Sequence, residues 1–258
     1  MEKLNSYYNN NSFLFDTHCH PQLIQGDESY IDYVDKLIAV SVEVDDAPII
    51  KNFCQRYSHK AFYSLGIHPK SQGDLSDISH DYFLDKSFVA IGETGLDYYD
   101  NITLEEKKRQ IDQFHSHLLY AIQYKKPVII HSRYDVGDDI ISILKQYPGI
   151  IGVLHSFTGT KNFAFKALEL GLYISFSGII TFKNAQNIQD VASIIPQDQL
   201  LIETDSPYLT PVPFRGRKPN TPQNIIYIVE KLSQIYKLSQ DSIRKITYRN
   251  GLNLFQIS

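Results

Sequence analysis

Eight short apolar runs, rich in β-branched and aromatic residues, alternate along the chain with segments of helical periodicity, and this alternation limits the fold more than any other feature. The runs are FLFDT (13–17), KLIAVSV (36–42), AFYSLGI (61–67), FVAIGE (88–93), PVIIHS (127–132), GVLHS (152–156), LYISFSG (172–178) and LLIETD (200–205). Helical patterns fall between them at 104–125, 138–147 and 160–170, the last closed by Gly171 as a C-cap. Eight β-then-α units in 258 residues predict an α/β fold, a (β/α)8 TIM barrel, with helices over 223–237 and 239–249 completing its outer ring. A doubly wound open sheet is the alternative, but that fold usually carries a glycine-rich phosphate turn after its first strand, and none is present here. One catalytic barrel domain is expected over 13–258, preceded by a flexible segment over 1–12.

Composition narrows the class. Only two cysteines occur, Cys19 and Cys54, without CxxC or Cys/His knuckle spacing, so neither a disulfide framework nor a zinc finger is indicated and a cytoplasmic location is expected. No run reaches the ~18 apolar residues of a membrane span, and no obligate protein partner is evident. The net charge of −4 argues against indiscriminate nucleic-acid binding. The charge is uneven, −7 over residues 1–130 and +3 over 131–258, so any contact with a polyanion has to be local.

Barrel enzymes place their chemistry at the C-terminal ends of the strands, and there the polar residues are one-sided. His18 and His20 end the first run, His68 follows the third, Glu93 ends the fourth, His131 and His155 end the fifth and sixth, and Asp205 ends the eighth. In DTHCH (16–20), alternate residues of a strand share a face, so His18 and His20 point together while Cys19 points away. His115 and His117 have the same H-x-H spacing within a helical pattern, where i and i+2 diverge by about 200°, and cannot grip one ion. For a single strand-end histidine, a buried imidazole bonded to a carbonyl is the simpler reading. Five of the nine histidines at one mouth, with two acids, are a metal-ligand set. Even six of these seven donors exceed what one tetrahedral ion needs, so two divalent ions (Mg, Mn or Zn) are expected, the arrangement hydrolases use on phosphate esters.

The chain resembles the TatD family of metal-dependent deoxyribonucleases, within the amidohydrolase-like barrels. The resemblance is carried by DTHCH, GIHP (66–69), GETGLDYY (92–99), HSR (131–133), HSFTG (155–159), ETDSPYL (203–209), the spaced Arg215, Asn220 and Pro222, and Asn250 with Phe255. It implies that His18, His20 and Asp205 hold one ion, that His131 and His155 hold the other, and that Glu93 bridges them. It further implies a 3′→5′ exonuclease on single-stranded DNA, with RNA as a further substrate. An amidohydrolase or aminoacyl-tRNA deacylase using the same site is the alternative. The sequence departs from the family at Tyr134, where an aspartate usually follows the arginine of HSR, and at Pro21 and Thr94.

Around these ligands, Asp205, Glu93 and His68 are the expected catalytic groups, with Asp205 taking or orienting the proton of the attacking water and His68 contacting phosphate or the leaving group. Arg133, Arg215, Asn220 and Tyr98 are the expected substrate contacts: the arginines for phosphate, the tyrosine, like Tyr99 and Tyr208, for base stacking. Arg217 and Lys218 extend the basic loop after the eighth run. Asp16 and Glu203, two residues before ligands, are expected either to orient ligand imidazoles or to be simply buried.

Overall fold

A computed structural model of the chain describes residues 13–100 and 102–258. The flexible segment expected over 1–12 lies outside the described residues.

All eight expected strands form: β1 (Phe15–Cys19), β2 (Lys36–Val40), β3 (Ala61–Leu65), β4 (Phe88–Asp97), β5 (Val128–Arg133), β6 (Gly152–Leu154), β7 (Tyr173–Phe176) and β8 (Leu200–Ile202). They pair in sequence order, every pair parallel. Hydrogen bonds then join β8 back to β1: Thr17 Oγ1 donates to the Ile202 carbonyl (2.9 Å) and the Asp205 N–H to the His18 carbonyl (2.9 Å). This is the (β/α)8 TIM barrel that the alternation predicts. Between the strands lie α1 (Asp46–Arg56), α2 (His80–Phe83), α3 (Leu104–Tyr124), α4 (Gly137–Leu144), α5 (Lys161–Glu169) and α6 (Gln186–Ala192), and α7 (Ile225–Tyr236) and α8 (Gln240–Phe255) follow β8. Thr103, Thr160 and Ser239 start α3, α5 and α8 by accepting a backbone N–H with their hydroxyls. No helix among the described residues is long and apolar enough to cross a membrane.

The strands divide their side chains between two apolar clusters. Leu37 and Ala39, Val128 and Ile130, and Leu200 and Ile202 face the helices. Their neighbours Ile38, Val40, Ile129, Val153 and Leu201 fill the barrel interior with Phe15. The floor of that interior is closed by Leu254, Phe255 and Ile257. The last helix therefore runs six residues beyond its expected end at 249, because its final turn buries apolar side chains against the barrel. Asn250 fixes it there, donating to the Gln197 and Leu200 carbonyls at the entrance of β8 (2.7 and 2.8 Å).

Two register shifts decide what faces the open end. Between Asp16 and Cys19, β1 advances three residues while β2 advances two, from Leu37 to Ala39. The extra residue reverses the alternation, so Phe15 and the later His18 and His20 all face inward although their parities differ. β4 does the same against β5, with Ile91 to Thr94 opposite Val128 to Ile130, and Glu93 lies within the shift. Close approach of backbones supports it: a Cβ on Gly66 would fall on the Gly92–Glu93 peptide. Gly66→Ala is therefore expected to destabilise the fold by about 3 kcal/mol through overpacking of backbone on backbone, read as a lowered urea midpoint at unchanged slope.

Candidate metal centre

At the C-terminal ends of the strands, residues from β4 and β5 and from the segments after β1, β3, β6 and β8 converge on a cavity of about 540 Å³, lined among others by His20, His68, Glu93, His131, His155 and Asp205. Glu93 is at its centre. Its Oε2 stands 3.4 Å from His18 Nε2 and 3.9 Å from His20 Nε2, and its Oε1 2.7 Å from His131 Nδ1 and 2.8 Å from His155 Nε2. The two oxygens thus address two separate pairs of imidazoles. Asp205 Oδ1 completes the first group, 3.4 Å from His20 Nε2 and 3.7 Å from His18 Nε2.

Partners behind the imidazoles turn their lone pairs inward. His20 Nδ1 donates to the Val40 carbonyl (2.9 Å), which leaves the lone pair of the neutral ring on Nε2, 3.2 Å from His18 Nε2. His155 Nδ1 faces Glu203 Oε1 (3.2 Å), so the neutral ring turns its Nε2 lone pair, and the charged ring a second N–H, toward the Glu93 carboxylate. Lone pairs this close to one another and to a carboxylate repel unless a proton or a metal ion lies between them, and imidazoles oriented in this way are the usual surroundings of a bound metal. His18 Nδ1 is buried with no hydrogen-bond partner among the described residues.

The electrostatics agree. Burial pushes the Glu93 carboxyl up, but His155, His131 and His18 outweigh it and hold the group well below the usual carboxylate range. Asp205 is likewise lowered, against its burial, by His20 and His18. Burial disfavours charge on His155 as well, yet Glu93 and Glu203 raise it well above the ordinary histidine value. Two buried anions among imidazoles call for positive charge, and the donors form several groups of three or more able to hold an ion. They are the clusters of a two-metal centre.

The expected surrounding residues fare unevenly. Glu203 does orient a proposed ligand, through His155. Asp16 touches no imidazole: its carboxylate accepts the Thr204 N–H (2.8 Å) and hydroxyl (2.5 Å), and the His18 backbone N–H (3.4 Å), and serves the seam between β8 and β1. Arg133 lines the cavity, its guanidinium 4.2 Å above the Tyr99 ring. Three expected substrate contacts lie off the cavity wall. Asn220 is fully buried, its amide donating to the Thr204 and Tyr208 carbonyls, so it shapes the loop after β8. Tyr98 donates its hydroxyl to Asp139 (2.8 Å) and packs beneath Lys107. Arg215 stacks over Phe182 at 4.1 Å. Tyr208, by contrast, lines the cavity and is half-exposed.

Asp97 escaped the sequence reading. Its buried Oδ2 stands 3.3 Å from His131 Nε2 and 3.9 Å from the Arg133 guanidinium. Its spacing was the available signal, because Asp97 lies four residues beyond Glu93 on one strand and so shares its face. The helical H-x-H pair behaves as its geometry requires: His115 bonds the Tyr147 hydroxyl, while buried His117 accepts the Ile67 N–H (2.9 Å) and donates to the Gln113 carbonyl (2.8 Å). His117 thereby anchors the backbone beside His68. Burial lowers its pKa from 6.5 to about 4, so the unfolded chain takes up a proton below pH 6.5 that the native state refuses until about pH 4. Its contribution is full above pH 6.5 and falls by about 3 kcal/mol as the pH drops to 4. Urea midpoints from pH 7 to pH 4 are expected to fall less steeply for His117→Gln than for the parent.

Comparison with known proteins places the chain. The model of the TatD-related DNase family matches residues 15–256. A metal-dependent hydrolase of Buchnera aphidicola is 40% identical, the match covering 95% of this chain and all of that one. The Escherichia coli metal-dependent hydrolase YcfH is 38% identical over 95% of this chain and 96% of its own. Among solved structures, the TatD homologue YjjV of Escherichia coli superposes with a TM-score of 0.81 at 26% identity, covering 96% and 99% of the two chains. With the barrel, the double set of metal donors and these relatives together, the chain belongs to the TatD-related family of metal-dependent hydrolases.

Proposed function

We propose that this hydrolase is a divalent-metal-dependent deoxyribonuclease that cleaves phosphodiester bonds of single-stranded DNA, and of RNA, from the 3′ end. The observation that carries the phosphodiesterase reading is Glu93, whose two oxygens each face a separate imidazole pair in a cavity that also holds Arg133. Strand preference and direction rest on the resemblance to TatD nucleases.

His18, His20 and Asp205 would hold one ion and His131 and His155 the other, with the Glu93 carboxylate facing both groups. Two ions so held would supply Lewis acidity for activating water and neutralising charge on the non-bridging oxygens. The chain's own groups do the rest. Asp205, whose φ of +54° fixes it in a left-handed turn, orients the attacking water and accepts its proton. His68 accepts the Lys70 N–H at Nδ1 (3.1 Å), which places the proton of its neutral ring on Nε2, 3.8 Å from Glu93 Oε1. It is thus a donor for a phosphate oxygen or the leaving oxygen. Arg133, positioned by Asp97 and Tyr99, offers a planar fork to phosphate.

With Mg or Mn and end-labelled single-stranded DNA, the protein is expected to give a 3′-shortening ladder that disappears without metal. Glu93→Ala should slow cleavage by about 10²- to 10³-fold or more. Arg133→Ala should lower kcat/KM on DNA by about tenfold or more, while scarcely affecting a neutral amide or lactone. A metal-loaded protein that leaves DNA and RNA intact but hydrolyses amides or aminoacyl esters would replace this reading with the amidohydrolase or deacylase one.

A further inference from the structure

Beside the metal centre lies a second cavity of about 880 Å³, which meets the first at Ser132 and Thr158. Tyr134 stands on its wall with its side chain largely in solvent, 71% exposed. Its φ is +67°, a left-handed conformation that costs a tyrosine about 1–2 kcal/mol, and the turn is closed by the Val136 N–H on the Tyr134 carbonyl (2.7 Å). The ring meets Tyr99 edge-on, with centroids 6.3 Å apart, and Tyr99 carries the Arg133 guanidinium on its face. A large aromatic ring held in a strained loop, outside the core and in a cavity that opens onto the metal centre, is placed to meet a ligand. It also stands at the position where this chain departs from the usual aspartate of related nucleases.

The two cavities differ in charge. The first has Arg133 and the candidate metal donors; the second has Asp135, Asp138 and Asp190, with Lys161 on its wall and Lys166 paired to Asp138 (2.7 Å), so acids still outnumber bases there. Phosphate is therefore repelled from the second cavity, whereas a flat, uncharged group bearing N–H donors can stack on the ring and bond to the carboxylates. A nucleotide has one end of each kind. We propose that Tyr134, with Tyr99 beside it, is a nucleobase platform that holds the base of the nucleotide whose phosphate lies at the metal centre. This inference rests on the phosphodiesterase reading above and deepens it.

The test compares thymidine 5′-(p-nitrophenyl phosphate), its 3′ isomer and methyl p-nitrophenyl phosphate as substrates of the metal-loaded protein. All three release nitrophenolate, so the ratio of kcat/KM for a thymidine ester over the methyl ester isolates the contribution of the nucleoside. The parent should prefer one thymidine ester. Tyr134→Ala should cut that preference about tenfold or more, chiefly through KM, as expected for loss of one base–aromatic stack, and Tyr134→Phe should retain it. An equal preference in the parent and Tyr134→Ala would overturn the platform. Hydrolysis of the methyl ester with no preference in the parent would also overturn it, while leaving the phosphodiesterase reading standing. Hydrolysis of none of the three would remove that reading and the platform with it.

Discussion

The hydrogen-bonded seam between β8 and β1 is the contact on which the site depends. Asp16 and Thr204 lie 188 residues apart, and the carboxylate of one holds both the N–H and the hydroxyl of the other. Around that pair, the Asp205 N–H bonds to the His18 carbonyl and the His20 N–H to the Ser206 carbonyl (2.7 Å), so the first and last strands deliver their donors to one point. The Ser206 hydroxyl bonds Thr204 Oγ1 at 2.6 Å and extends the network. Burial pushes the Asp16 carboxyl up to about 7, the Thr204 bonds pulling against it. A buried carboxyl is tolerable here because its oxygens are satisfied by groups that the closed barrel fixes in place.

Closure alone would not aim the side chains. In an uninterrupted β1, Phe15 facing inward would send His18 and His20 outward to the helices; the extra residue between Asp16 and Cys19 reverses this. Cys19 consequently faces outward, its thiol directed at the Ile38 carbonyl. The matching shift in β4 places Glu93 between both imidazole pairs, and it requires glycine at 66 because two backbones touch there. The lower barrel can thus be packed with apolar side chains while the same strands present polar donors one turn of alternation later.

Much of this was legible in the sequence because it depends on local periodicity. Eight apolar runs gave eight strands, and strand-end histidines in even spacing gave His18 and His20 as neighbours. The contrast with His115 and His117 shows that spacing carries meaning only with its backbone attached. What could not be read was set by distant contacts. The last helix continues to Phe255 because the barrel floor needs an apolar cover. Asn220 and Tyr98 do not line the cavity, their polar groups being taken by the Thr204 and Tyr208 carbonyls and by Asp139. The spacing of Asp97 puts it on the face of Glu93, but its partner is settled only when β4 and β5 pair and bring His131 beside it.

The donor set also bears on which ion the chain holds. Magnesium favours oxygen donors and retains its waters, whereas four imidazoles with two carboxylates suit zinc or manganese. The imidazoles here are not free to turn away: Val40 fixes His20, Glu203 fixes His155, and Asp97 stands behind His131. Groups held in this way present their lone pairs without reorganisation, which strengthens binding of any ion that accepts nitrogen. Magnesium would have to compete through abundance and through the oxygens of Glu93 and Asp205, the two donors that suit it best. Of the two carboxylates only Glu93 faces both imidazole pairs, so the harder part of the donor set joins the halves of the centre while the imidazoles set the preference of each half.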